Sequence, residues 1–257
     1  PDLDSVLYAV AGLADTERGW GRAGESWRTL ESATGWGGES WFGLGDLDLG
    51  LHLVRTQALR GGARLSGATA ALVAAAGLRL ALLPATDEPL RTHVVTPAGT
   101  LPFQEWFVAR RHEVEVDARV YEGAAGARPG PGVLDAIERA DRVVIAPSNP
   151  YVSIQPILEV PGVREALVRR RAACVAVSPL IGGRAVKGPL DRMLTRMAGG
   201  TTPAHVARCY EGLLDRLVID RADAPATADV PLVVSETLMT DREAARRLAD
   251  TVLEAAA

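Results

Sequence analysis

DRVVIAPSNPYVSIQPILEVPGV, residues 141–163, runs a buried strand straight into a turn of small polar groups and prolines. Arg142 to Ala146 is a short apolar run rich in β-branched residues, the pattern of a strand covered on both faces. Pro147-Ser148-Asn149-Pro150 ends it abruptly, so the loop stands at a strand's C-terminal end. In open α/β sheets ligands bind at that end, and Ser148, Asn149 and Ser153 offer hydroxyl, amide and backbone N–H groups suited to phosphate oxygens. A turn that only reverses the chain uses the same residues, so this stretch alone leaves both readings open.

Working outward, a second stretch repeats the design. Ala172 to Val177 is another buried strand and opens into SPLIGGRAVKGP, residues 178–189. Gly182 and Gly183 let backbone amides come close to a ligand, and Lys187 supplies a mobile positive charge such as a diphosphate needs. Residues 133–140 read as a helix feeding the first strand, and 161–171, opened by Pro161 as a first-turn residue, joins the two strands. Strand, helix, strand implies a parallel pair. Helices over 191–197 and 205–214, strands over 217–220 and 232–234, and an amphipathic last helix over 241–256 capped near Thr240 or Asp241 follow. The fold class is α/β, a Rossmann-like three-layer arrangement with a mainly parallel sheet.

Composition narrows the function classes. With 257 residues, 47% of them hydrophobic, the chain can bury a substantial core. The formal net charge is −4 and Lys and Arg are scattered, so there is no basic footprint for nucleic acid. Cys174 and Cys209 lie far apart in apolar surroundings, as reduced core residues of a cytoplasmic protein do. No apolar run is long enough to span a membrane, no signal-peptide pattern occurs, and no Walker, GxSxG or HExxH motif is present.

Toward the start of the chain, Asp4 precedes the helical run of Val6, Leu7 and Val10, where a carboxylate ordinarily caps the helix. Trp20, Trp27, Trp36 and Trp41 crowd a glycine-punctuated segment and serve either as packing anchors or as an apolar wall. His52 and Arg55 lie three apart on one helix face. Residues 65–83 build core. His93 to Val95 and Leu101 to Phe107, separated by Pro-Ala-Gly-Thr, read as a β-hairpin forming a small annex. Strand alternation places Gln104 and Trp106 on one side and Glu105 on the other, so an amide and an indole face the same way, toward a heteroaromatic ring or toward core. The Gly/Ala/Pro-rich segment 123–132 is the expected mobile loop.

The blocks PDLDSVLYAVAGL, RGWGRAGESW, WFGLGDLDLGLHLVRTQ, LLPATDEPLRTHV, LPFQEWFV, APSNPYVSIQPILEVPGV, VSPLIGGRAVKGPLDRML and PLVVSETLMTD, in this order, resemble the 2-phospho-L-lactate transferases of deazaflavin coenzyme F420 biosynthesis. That resemblance implies transfer of a phospholactyl or phosphoenolpyruvyl group from a guanylylated diphosphate donor to the deazaflavin Fo, with release of GMP. It implies Mg²⁺ and a homodimer. It makes Asp4 the catalytic and metal-binding residue, sets Trp41, His52, Arg55, Gln104 and Trp106 around the acceptor, and gives Ser148, Asn149, Pro150, Ser153, Gly182, Gly183 and Lys187 to the donor. Residues 1–257 then form a single α/β transferase domain, with 84–122 as an annex bordering the acceptor pocket. The family's GGxGG loop and GDD segment do not occur in these residues. A partner carboxylate for Asp4 is therefore expected upstream of Pro1. The alternative is a non-catalytic nucleotide-binding regulatory protein of the gluconeogenesis-factor type, which shares the sheet but differs in its loops.

Overall fold

The computed structural model describes residues 3–256, and these divide into two compact units between Glu88 and Pro89. The first unit is helical: α1 (Leu3–Ala11), α2 (Arg28–Gly35), α3 (Asp46–Arg60) and α4 (Leu65–Ala75). Gly45 is the N-cap of helix α3, and the Glu25 carboxylate accepts the N–H groups of Leu47 at 2.7 Å and Asp48 at 2.9 Å, pairing donors that no helical carbonyl can reach.

The second unit opens with three antiparallel strands, β1 (Arg91–Thr96), β2 (Gly99–Pro102) and β3 (Ala118–Glu122), in the order β2-β1-β3. The expected hairpin is β1 with β2, registered from His93 opposite Pro102 to Thr96 opposite Gly99. Its second arm is shorter than expected. From Phe103 the backbone turns helical and Glu105–Ala109 forms a π-type turn, so Gln104 and Trp106 do not share a strand face. The physical reason is that Pro102 ends the ladder, and the apolar residues beyond it recur at Phe103, Trp106 and Phe107, the three- and four-residue spacing of a helix.

The chain then lays down α5 (Val133–Arg139), β4 (Val143–Ile145), a π-type turn over Pro150–Ile154, α6 (Gln155–Leu158), α7 (Val163–Arg169) and β5 (Cys174–Val177). A miniature hairpin of β6 (Leu180–Ile181) and β7 (Arg184–Ala185) follows, then α8 (Leu190–Ala198), α9 (Pro203–Cys209), β8 (Arg216–Asp220), β9 (Leu232–Ser235) and α10 (Arg242–Ala255). Strands β4, β5, β8 and β9 form one parallel sheet in that order, the α/β arrangement the sequence implies. One face carries Val175, Val177 and Val218 under Leu248 and Val252 of α10. By strand alternation Ala176, Leu217 and Ile219 point to the opposite face, where they are buried as well. Helix α10 is capped as expected, with Asp241 accepting the Ala244 N–H at 2.8 Å.

Further details differ from expectation, among them the second of the later helices, which ends at Cys209 rather than at residue 214. β4 is the edge strand and its Val144 is 45% exposed, so that strand is not covered on both faces. Pro161 lies ahead of α7 rather than in its first turn, because Gly162, at φ 88°, takes the N-cap. The segment expected to be mobile is held by a 3₁₀ turn over Ala124–Gly126 and by buried Ala124 and Ala127. No helix among the described residues is long and apolar enough to cross a membrane.

Candidate active site

All four parallel strands end on the same side. The segments after β4, β5 and β9 enclose a cavity of about 420 Å³ there. Ser148, Asn149 and Ser153 line it from the first loop, Ser178 and Lys187 from the second, and Thr237, Leu238 and Met239 from the third. Two loops that lie about thirty residues apart in sequence thus meet at one site, because adjacent parallel strands bring their C-terminal ends together.

Within the first loop the backbone amides are largely committed. Ser148 N–H donates to the Ala146 carbonyl at 2.7 Å, Ser153 N–H to the Asn149 carbonyl at 3.0 Å, and Tyr151 N–H to Asn149 Oδ1 at 2.9 Å. Asn149 therefore caps the π-type turn, its Nδ2 resting 3.5 Å from the Met193 sulfur, and Pro150 is buried as the turn's first residue. Hydroxyls and the Asn149 amide, rather than backbone N–H groups, are what this loop can present. Tyr151 behind it is packed under the Arg119 guanidinium, 4.6 Å from its ring centre, and its carbonyl accepts the Tyr121 hydroxyl.

The glycine pair behaves differently from expectation. Gly182 and Gly183, at φ 58° and 71°, make the two-residue turn of the β6–β7 hairpin, the conformation that such a hairpin requires. Gly183 N–H donates to Asp223 Oδ1 at 2.7 Å, so a carboxylate already occupies the place where an anion was expected. Burial pushes the Asp223 carboxyl above its ordinary range against the opposing hydrogen bonds from the two glycines. Neither glycine lines the cavity, whereas Lys187, in the same loop, does. Lys187 is the one cationic side chain among the described lining residues.

Asp4 belongs to the helical unit. It is not a cap: it lies inside the first turn of α1, and both of its oxygens are engaged by α3. Arg55 Nη1 donates to Oδ1 at 2.9 Å and Nη2 to Oδ2 at 2.5 Å, while His52 Nε2 lies 3.1 Å from Oδ2. One turn along, the Tyr8 hydroxyl donates to Asp48 Oδ1 at 2.7 Å, and burial, reinforced by Asp48, pushes the Tyr8 phenol well above its ordinary range. Two polar stripes face each other: Asp4 and Tyr8 on α1, and Asp48, His52 and Arg55 on α3. No sequence motif singles out Tyr8 or Asp48, although the spacing of four and then three residues that joins them to Asp4, His52 and Arg55 is legible in the sequence.

Tested for a divalent cation, this arrangement does not fit. A carboxylate that accepts two guanidinium bonds has its charge offset, and no three His, Cys, Asp or Glu side chains cluster among the described residues. Of the acceptor candidates, Trp106 is 1% exposed, with Nε1 donating to the Val114 carbonyl at 2.8 Å, so it is a packing anchor. Gln104 is exposed and lies outside the cavity lining. Trp41 is partly exposed, edge-on to Phe42 at 5.8 Å, and donates to Glu39 at 2.7 Å. Trp36 is 90% exposed, and Arg18 stacks over Trp20 and Trp27 at 4.8 and 5.0 Å.

The chain is 42% identical over 267 residues to a phosphoenolpyruvate transferase of Streptomyces griseus, a match that covers 100% of this chain and 84% of the relative. To a phosphoenolpyruvate transferase of Nocardia farcinica it is 44% identical over 257 residues, covering 94% and 76%. A crystal structure of a Bacillus halodurans protein shares the fold at a TM-score of 0.62 and 15% identity, across 96% of this chain and 82% of that one. The family model described as 2-phospho-L-lactate transferase CofD matches residues 1–256. With strand-end loops that meet at one cavity and a match along the described chain, the protein belongs to the 2-phospho-L-lactate transferase CofD family and is a transferase of coenzyme F420 biosynthesis.

Proposed function

We propose that the protein transfers a phosphoenolpyruvyl group, in preference to its phospholactyl counterpart, from a guanylylated diphosphate to the primary hydroxyl of Fo. The hydroxyl oxygen bonds to the phosphorus that bears the organic acid, its proton passes to solvent, the bridging P–O bond breaks, and GMP leaves, giving dehydro-F420-0. The observation that carries this reading is the convergence of Ser148, Asn149, Ser153 and Lys187 on one cavity at the strand ends. Hydroxyl and amide donors with one lysine suit non-bridging phosphate oxygens, and a partly enclosed cavity holds acceptor and donor in line. The preference for enolpyruvyl follows the names of the relatives at 42% and 44% identity.

Lys187 offsets only one of the several negative charges of a diphosphate. Mg²⁺ is accordingly part of this proposal, accompanying the donor's oxygens rather than resting on Asp4 as it is now paired. A cytoplasmic homodimer belongs to the same reading. Mass spectrometry of the product formed from Fo with each guanylylated donor, with and without Mg²⁺, tests it. The expected product is lighter than F420-0 by one H₂ and appears together with GMP. Absence of any phosphodiester product from every donor would sink the proposal.

A further inference from the structure

We propose that Phe103 and Phe107 form a stacking platform for the planar heteroaromatic ring of a substrate. This rests on the transferase reading above, which supplies two such rings, guanine and deazaflavin. Phe103 and Phe107 stand four apart on the helical turn after β2, and both line the cavity. Their rings stack on each other with an offset at 5.3 Å and an interplanar angle of 24°, so a planar ring entering the cavity can extend the stack. Both are half-buried, whereas Trp106 between them is sealed in the core.

The platform is braced from behind. The His112 ring lies 5.2 Å from Phe107, and Trp106 lies 6.0 Å from Phe103 and 6.1 Å from Phe107. Arg111 and His112 hold φ of 50° and 45°, a left-handed conformation that side-chain-bearing residues seldom adopt. Their backbone is pinned by His112 N–H donating to the Trp106 carbonyl at 2.8 Å and by Arg192 donating to the His112 carbonyl. The Lys187 loop closes on the same ring: a Cβ on Gly188 would stand 3.6 Å from Phe107.

Other walls of the cavity also leave apolar surface open. Val186, Leu238 and Met239 are 56%, 47% and 50% exposed while lining it. An aromatic face, further apolar walls and a few hydroxyls with one lysine match a flat ring that carries a charged or hydroxylated tail.

The test measures GDP affinity by calorimetry and Fo affinity by fluorescence quenching, on the wild-type protein, Phe107→Leu and Phe107→Trp. Leucine keeps apolar bulk and removes the π face, so the ring that stacks there should bind about tenfold or more weakly. Tryptophan should restore it, and the ligand that responds identifies the ring. If Phe107→Leu fails to fold, Phe103→Leu applies the same test from the other half of the platform. Unchanged binding of both ligands in these variants would overturn the platform and leave the transferase reading standing. Binding of neither ring by the wild type would overturn both. Equal weakening of both ligands that tryptophan does not restore would reduce the phenylalanines to packing.

Discussion

Asp4 shows how one side chain can be given its role by neighbours far along the chain. Its position near a helix start suggests a cap, but a guanidinium 51 residues away takes both oxygens, and the pair is largely buried. Asp4→Asn keeps the size and removes the charge, which leaves Arg55 without its counter-charge. Losing charge-assisted bonds of this kind costs about 1.5–3 kcal/mol, so the urea midpoint should fall at unchanged slope. An unchanged midpoint would mean that the Asp4–Arg55 pair contributes nothing to stability. Cys174 is decided by its surroundings in the same way. Burial pushes its thiol up to about 11, so in the native protein a thiol-specific reagent should leave it unmodified at neutral pH and label it on unfolding. Rapid native labelling of Cys174 would contradict its burial.

At the scale of elements, the turns have the greatest influence on the site. The helical turn after β2 and the turn after β4 both bond from residue i+5 to residue i, Arg110 to Glu105 and Ile154 to Asn149, and both supply cavity residues. Such wide turns are uncommon and concentrate at functional sites. Glycines fix other junctions, with different tolerance. Gly123, at φ 88°, leads from β3 into the 3₁₀ turn, and a Cβ there would lie 2.3 Å from the Pro89 carbonyl oxygen. Gly162 has the same φ, but a Cβ would meet only Leu134 at 3.6 Å. Gly162→Ala should therefore cost about 1 kcal/mol, the backbone penalty alone, and Gly123→Ala distinctly more, because backbone must move. Thermal melts of the two variants compare them directly, and equal losses would show that the Pro89 contact yields freely.

Over the whole molecule, Asp220 ties the ends of the parallel strands together. It terminates β8 and accepts from Ala222 N–H at 2.9 Å and from the Thr237 N–H and hydroxyl at 2.9 and 3.0 Å, joining two strand-end loops. Burial pushes its carboxyl up, but these bonds outweigh that and hold it below the ordinary value. Because the folded value is lowered, the unfolded chain binds the proton more readily. The stabilisation is thus complete above about pH 3.9, the unfolded value, and is lost as pH falls through the folded one. Asp220→Asn should cost about 1–3 kcal/mol near neutrality, since its amide nitrogen would face a donor. Its unfolding free energy should fall less steeply than that of the wild type below about pH 3.9. Parallel pH curves for the two proteins would exclude Asp220 as the source. The sequence by itself determined the α/β class, the order of the parallel strands' segments, and the two loops of Ser148 and Lys187, because β-branched runs ended by Pro, Ser and Gly carry their reading locally. It also carried the family, through blocks spread along the chain. Only tertiary structure decided that Phe103 and Phe107 rather than Gln104 and Trp106 face the cavity, that Asp223 fills the glycine turn, and that Arg55 and His52 hold Asp4. Each of these depends on a partner or a backbone period set beyond the local stretch, and a choice between a step of two residues and a step of four is made by what the chain packs against.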